Sequence, residues 1–273
     1  MCARMVGILL LAAFLCVCLS ATEGVAANFN NIVVVSIDAL HPDALTSTNA
    51  PLTCALLKKG HLTRNGQSTH PPKTLVSHAA MVTGIGPEQG GRKSNTWESG
   101  EPPVQGQTIF HFAKAQGYRT AFFYSKSKLG FLQTSATDAC QLSRDDATGM
   151  AARFLEDNEP NFVFIHISGL DFVGPEYGWL SPEYLEELSY IDQYLEEVYE
   201  VLTRAGDYLL IITSDHGGYE KSHGGIHPEE ARLPFGAVSD VCEFPEVQDA
   251  PYHVTQLPDF IERAMTCEAR ASK

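Results

Sequence analysis

Continuous apolar runs alternate along this chain with stretches in which apolar residues recur every three or four positions. Asn31–Ile37 is an unbroken, mostly β-branched run, the pattern of a strand buried on both faces. Thr120–Tyr124, Phe162–Ile167 and Tyr208–Thr213 are runs of the same kind. Between them Gln107–Gln116 and Asp146–Asp157 read as helices. The clearest helix is 182–205, where Tyr184, Leu188, Ile191, Leu195, Val198 and Leu202 fall on one stripe. Ser181 suits its N-cap, Pro182 its first turn and Gly206 its end. Gly84–Pro103 is rich in Gly and Pro and reads as one long loop, a length that often carries function. No internal repeat or linker interrupts the pattern. Strand–helix alternation predicts a single α/β domain over residues 28–273, with a mostly parallel central sheet and helices on both faces.

The first 27 residues stand apart. Arg4 precedes the apolar run Val6–Leu19, about 14 residues, the length of a signal-peptide core and short for a bilayer span. Cleavage is expected after Ala27, with Ala21 as second choice and an uncleaved N-terminal anchor as the alternative, and it places the mature chain outside the cytoplasm as a secreted or extracytoplasmic protein. Three cysteines leave with that segment. Cys54, Cys140, Cys242 and Cys267 remain, compatible with two disulfides in an exported protein.

The 273 residues carry a net charge of −14, and no Lys or Arg occurs between Arg153 and Arg204. A nucleic-acid polymer or an anionic membrane surface needs a cationic face. Neither is expected as a partner, and no stable membrane insertion is expected of the mature chain.

Ligands of open α/β sheets collect outside the carboxyl ends of the strands. Asp38 directly follows the first apolar run, Asp171 follows Phe162–Ile167 after a short turn, and Asp215-His216 follows Tyr208–Thr213. One Asp after a strand is an ordinary turn former. The pair Asp215-His216, followed by Gly217-Gly218 and then by His223-Gly224-Gly225, is a stronger signal. It combines carboxylate and imidazole, the donors zinc favours, with glycines that let the backbone close around them.

Thr74-Leu-Val-Ser-His78, followed by Met81-Val-Thr-Gly84, resembles the nucleophile segment of the alkaline phosphatase superfamily, in its type I phosphodiesterase/nucleotide pyrophosphatase branch. The branch pattern is roughly T-x-P-[NS]-H…T-G, and Val76 stands where Pro is usual. Ser36-Ile-Asp-Ala-Leu40, Ser214-Asp-His-Gly-Gly218 and His223-Gly-Gly225 extend the resemblance to about Pro234. The resemblance implies a two-zinc enzyme in which Thr74 attacks phosphorus. One zinc would be held by Asp38, Asp215 and His216 and would touch Thr74. The other would be held by Asp171, a His four residues later, and His223. Asn95, 21 residues after Thr74, matches the Asn that binds a phosphoryl oxygen. A metal-activated threonine and two ions gripping the entering and leaving oxygens are the chemistry such an arrangement supplies.

One position breaks the pattern. The family's Asp-x-x-Gly-His reads here Asp171-Phe-Val-Gly-Pro175, and proline offers no ligand. Three readings stand: His227 or Glu176 substitutes, the site works with one firmly bound metal, or the fold persists as a phosphate- or metal-binding relic. His78 is expected to support the nucleophile segment, and His41, His70 and His111 to pack or face water. Lys73, Lys126 and Lys128 are expected on a solvated face, with a place near an anionic substrate as the alternative. The leading expectation is an exported metal-dependent phosphoester hydrolase, phosphodiesterase- or nucleotide-pyrophosphatase-like, acting on a small phosphoester or nucleotide. A phosphomonoesterase is an alternative. A sulfatase is disfavoured, because no C/S-x-P-x-R segment is present.

Overall fold

A computed structural model describes residues 29–157 and 160–267. The expected leader over residues 1–27 lies outside the described residues. Eight strands form one sheet: β1 (Asn31–Ile37), β2 (His61–Gln67), β3 (Arg119–Tyr124), β4 (Ala139–Leu142), β5 (Asn161–Ile167), β6 (Tyr208–Thr213), β7 (Arg232–Ser239) and β8 (Tyr252–His253). Their spatial order is β4-β3-β5-β1-β6-β7-β2-β8. The block from β4 to β6 is parallel, and β7 alone runs antiparallel to both of its neighbours. The mostly parallel α/β sheet expected from the apolar runs is the one observed.

β1 lies in the middle, and its successive side chains feed two cores. Ile32 and Val34 pack on one face with helices α2 (Thr74–Thr83), α3 (Ile109–Ala115) and α9 (Leu257–Met265). Val33, Val35 and Ile37 pack on the other with α1 (Pro51–Leu57), α4 (Ala147–Leu155), α6 (Pro182–Tyr194) and α7 (Glu196–Ala205). Burial on both faces explains why the sequence shows no polar alternation there. Short helices α5 (Gly169–Tyr177) and α8 (Pro228–Ala231) lie in the loops after β5 and β6.

The single helix expected over 182–205 is two. Its whole apolar stripe is buried, Ser181 caps Tyr184 N–H and Gly206 ends it at φ +71, but Leu195 interrupts it with ψ −13. Strands β2 and β7 were not visible as apolar runs. β2 is largely polar, and β7 contains Pro234 and Gly236 beside an irregularity in the β2–β7 register, where proline is tolerated in a sheet. Cys242 and Cys267 form a disulfide, whereas Cys54 and Cys140 are free. The second disulfide that four cysteines allowed is absent for a geometric reason: Cys54 packs against one core and Cys140 against the other, with the sheet between them. Among the described residues no helix is long and apolar enough to cross a membrane.

Candidate metal and nucleophile site

The turns after β1, β5 and β6 bring the candidate ligands together at the carboxyl edge of the sheet. Asp38 leaves β1 with its N–H donating to Ile167 O of β5, 2.8 Å away. The next residue, Ala39, turns the chain at φ +66. Ala39 N–H donates to Asp215 Oδ1 (3.1 Å), and Leu40 N–H donates to Ser214 Oγ (2.9 Å). The Tyr184 hydroxyl locks this turn from α6, donating to Ala39 O (2.6 Å) and accepting from His41 N–H (2.9 Å). Gly218 has to be glycine, since a Cβ there would fall 2.0 Å from the Trp179 ring. That ring in turn donates from Nε1 to Ala39 O.

Asp38, Asp215 and His216 are fully buried. His216 Nε2 lies 3.3 Å from Asp38 Oδ1 and 3.4 Å from Asp215 Oδ2. None of these three atoms has a hydrogen-bond partner. Buried polar atoms are rarely left so. A tetrahedral ion with bonds of about 2.0–2.1 Å holds its ligand atoms roughly 3.3–3.4 Å apart, so the donor set and its spacing fit zinc. His216 Nδ1 donates to Gly217 O (2.8 Å), which turns the Nε2 lone pair toward the carboxylates. Burial would push the His216 imidazole down, yet Asp215 and Asp38 outweigh it and raise it to about 9. Burial and the neighbouring Asp38 push Asp215 up. Burial opposes ionisation of Asp38, but Lys126, His166 and His216 hold it well below the usual carboxylate range. The two carboxylates thus favour positive charge between them, carried by a proton on His216 or by a metal ion on the same three atoms.

The other candidate ligands are also close. His223 Nε2 lies 3.1 Å from Asp171 Oδ1, and its ring stacks on His216 with centroids 4.3 Å apart. Among the described residues the third donor within reach is His216, whose Nε2 lies 3.7 Å from Asp171 Oδ1 and also faces the first cluster. Pro175 occupies the expected histidine position inside α5. His227 stacks on Tyr219 and accepts from Glu229 N–H. Glu176 is exposed. Asp171 and His223 share only His216 with the first cluster.

Thr74 begins α2 and is buried at the same edge. His78, also buried, donates from Nδ1 to Thr74 O (2.8 Å) and accepts at Nε2 from Ser36 Oγ (2.9 Å), pinning the start of α2 to β1. Asn95 Oδ1 accepts from Leu75 N–H (2.9 Å) and from Lys128 Nζ (3.4 Å). The long loop thus delivers Asn95 to the head of α2.

Two of the three lysines, Lys126 and Lys128, stand in the site, the alternative to the solvated face. Lys126 Nζ contacts Asp171 Oδ2, lies 2.6 Å from Asp38 Oδ2, and donates to Thr74 Oγ1 at 3.4 Å. Its side chain is 11% exposed. Burial would lower the Lys126 ammonium, but Asp38 and Asp171 hold it above its usual value. Lys128 reaches Asn95 as described. The physical reason is position: Ser125 and Lys126 directly follow β3, at the same sheet edge as Asp38.

His166 was also unexpected. It is the one strongly polar side chain within the apolar run of β5. Ser125 N–H donates to its Nδ1 (3.3 Å), so the neutral ring carries its proton on Nε2 and donates to Asp38 Oδ2 at 3.0 Å. His41 pairs with Glu229 at 2.8 Å. Arg232 bonds the same Glu229, and His41, with Asp43 and Glu229, forms a separate group of donors away from the first cluster.

The sequence profile of the type I phosphodiesterase / nucleotide pyrophosphatase family matches residues 32–229. Human GPI ethanolamine phosphate transferase 2, catalytic subunit, is 26% identical over 236 residues. That match covers 79% of this chain and 24% of the relative, so the chain spans about a quarter of that relative's length. A 2-O GAG sulfatase superposes with a TM-score of 0.72 at 13% identity, over 90% of this chain and 72% of that one. The C-terminal periplasmic domain of EptC from Escherichia coli, in complex with Zn, superposes with a TM-score of 0.64 at 12% identity, over 89% and 84%. The structural likenesses show a shared fold, and the profile match over most of the chain shows more: this chain belongs to the type I phosphodiesterase / nucleotide pyrophosphatase family.

Proposed function

We propose that this chain is a metal-dependent enzyme of phosphoester chemistry, exported on the strength of its apolar leader, with Thr74 as nucleophile. One observation carries the reading. A buried threonine stands at the head of a helix, beside three buried ligand atoms of two carboxylates and one imidazole that no protein group satisfies. Asp38, Asp215 and His216 would hold the ion, which supplies Lewis acidity toward the threonine oxygen and the phosphoryl group.

The chain's own groups then divide the work. Thr74 Oγ1 attacks phosphorus, the bond from phosphorus to the leaving oxygen breaks, and the threonine proton ends on the departing alcohol. Water attacks the phosphothreonine ester in a second displacement and regenerates the hydroxyl. Lys126 donates to Thr74 Oγ1 and steadies negative charge developing there. Asn95, anchored through Oδ1, keeps its amide group to donate to a phosphoryl oxygen. The position and order of these groups weigh against a non-catalytic relic.

The substrate class is a small phosphoester, diester or nucleotide. A second reading, supported by the named activity of the human relative, puts an acceptor hydroxyl in place of water, giving transfer instead of hydrolysis. The test uses mature protein with zinc, a chromogenic phosphodiester and a chromogenic phosphomonoester. Hydrolysis in the wild type and at least about a thousandfold loss in Thr74→Ala is the expected result. Full activity in Thr74→Ala overturns the assignment. Product partitioning toward an added alcohol separates transfer from hydrolysis.

A further inference from the structure

We propose that Lys126 takes the place of a second metal ion: this chain binds one ion, on Asp38, Asp215 and His216, and the Lys126 ammonium serves as the second cation toward the reacting group. The inference rests on the metal reading of the site given above and goes beyond it.

The first ground is the donor set. A catalytic zinc takes three protein ligands. Asp171 and His223 supply two, and the position that would supply the third is Pro175. Asp171 and Pro175 are i and i+4 on α5, so a side chain at 175 stands on the same helix face. Proline presents no lone pair there. His216 Nε2 also lies 3.7 Å from Asp171 Oδ1, but it stands nearer Asp38 and Asp215, at 3.3 and 3.4 Å, and one nitrogen ligates one ion, so the second group is left with two donors of its own.

The second ground is occupancy by a charge. Lys126 Nζ touches Asp171 Oδ2, and it also reaches Asp38 Oδ2 and Thr74 Oγ1. It bridges the carboxylates assigned to the two different ions of the family pattern and faces the candidate nucleophile. The lysine is not a stray surface chain. It leaves β3 at the sheet edge through Ser125, whose N–H and Oγ bond His166, and His166 bonds Asp38.

The test is metal content per chain by elemental analysis, after equilibration of the mature protein with zinc and removal of free ion. Wild type is expected to retain one zinc. Pro175→His alone is expected to stay at one, because Lys126 still occupies the place. Pro175→His combined with Lys126→Met is expected to retain two. Lys126→Arg keeps the charge and should stay at one, which controls for misfolding of the methionine variant together with its circular dichroism. Two zinc ions in the wild type, or in Pro175→His with Lys126 present, overturn the inference while leaving the metal reading intact. No zinc in the wild type, with Asp215→Asn indistinguishable from it, overturns both.

Discussion

Removing one oxygen from α6 should loosen the turn that aims Asp38. In Tyr184→Phe the phenol no longer donates to Ala39 O or accepts from His41 N–H. Ala39 O keeps a bond from Trp179 Nε1 at 3.2 Å, but the His41 N–H is left buried without that acceptor. Two lost hydrogen bonds are worth about 1 kcal/mol each, and an orphaned buried donor costs about 1–3 kcal/mol. Ala39 sits at φ +66, a conformation that costs a non-glycine residue about 1–2 kcal/mol and has to be held by its surroundings. A loss of about 2–3 kcal/mol follows. In a domain of this size each kcal/mol moves Tm by roughly 2–4 °C, so Tm should fall by about 4–12 °C in metal-free protein. Zinc affinity should fall about tenfold or more, the scale seen when partners of a metal ligand are removed. The comparison is Tyr199→Phe, whose hydroxyl bonds the side chain of Thr53 (2.8 Å), far along the chain from the turn after β1. That variant should lose stability and keep its zinc affinity. Thermal unfolding and a competition titration with a zinc chelator measure both quantities. A Tm within 1 °C of wild type, or unchanged zinc affinity in Tyr184→Phe, would refute the reasoning.

Two further outcomes concern the frame of the site. Burial pushes the His78 imidazole down to about 4, only partly offset by Asp215, while an unfolded histidine titrates near 6.5. Between those values the unfolded chain takes up a proton that the folded chain refuses. Stability is therefore fully present above about pH 6.5 and falls toward pH 4, by roughly 3 kcal/mol. Urea midpoints of metal-free protein across that window should show a shallower fall in His78→Gln, and an identical slope would count against it. The Cys242–Cys267 disulfide closes a loop with a sequence separation of 25, for which loop entropy gives about 3.5 kcal/mol. Cys242→Ser with Cys267→Ser should lower Tm by about 7–14 °C and leave metal content unchanged. An unaltered Tm would show that the bridge adds nothing.

The parts of the fold legible in the sequence are those that physics makes redundant. β1 and β6 end where their apolar runs end, because strands buried on both faces admit few polar residues before the sheet edge. The candidate ligands Asp38, Asp215 and His216 were legible for the same reason: the first polar residues after such a run mark the edge where ligands gather. Lys126 obeys the same rule after β3, but lysine on its own reads as solvated, and only the carboxylates it meets from other strands reveal its place. His166 left a fainter signal, one imidazole inside a run of large apolar residues. β2 and β7 were hidden because their polar residues, Pro234 and Gly236 are tolerated only through the specific neighbours they pair with. Likewise, no spacing rule could tell that the sheet separates Cys54 from Cys140.

The three turns that carry Asp38, Asp171 and Asp215-His216 hang from β1, β5 and β6, which are immediate neighbours at the middle of the sheet. Hydrogen bonds from the turn after β1 to Ile167 O, Asp215 Oδ1 and Ser214 Oγ tie these strand ends together within the protein itself. Backbone amides of these strands should be among the last to exchange with deuterated solvent, since opening them means opening the whole domain. An ion binding here would meet a site already framed by the fold, its stabilising effect would follow mass action, and Lys126, still 11% exposed, is the side chain it would displace or pass.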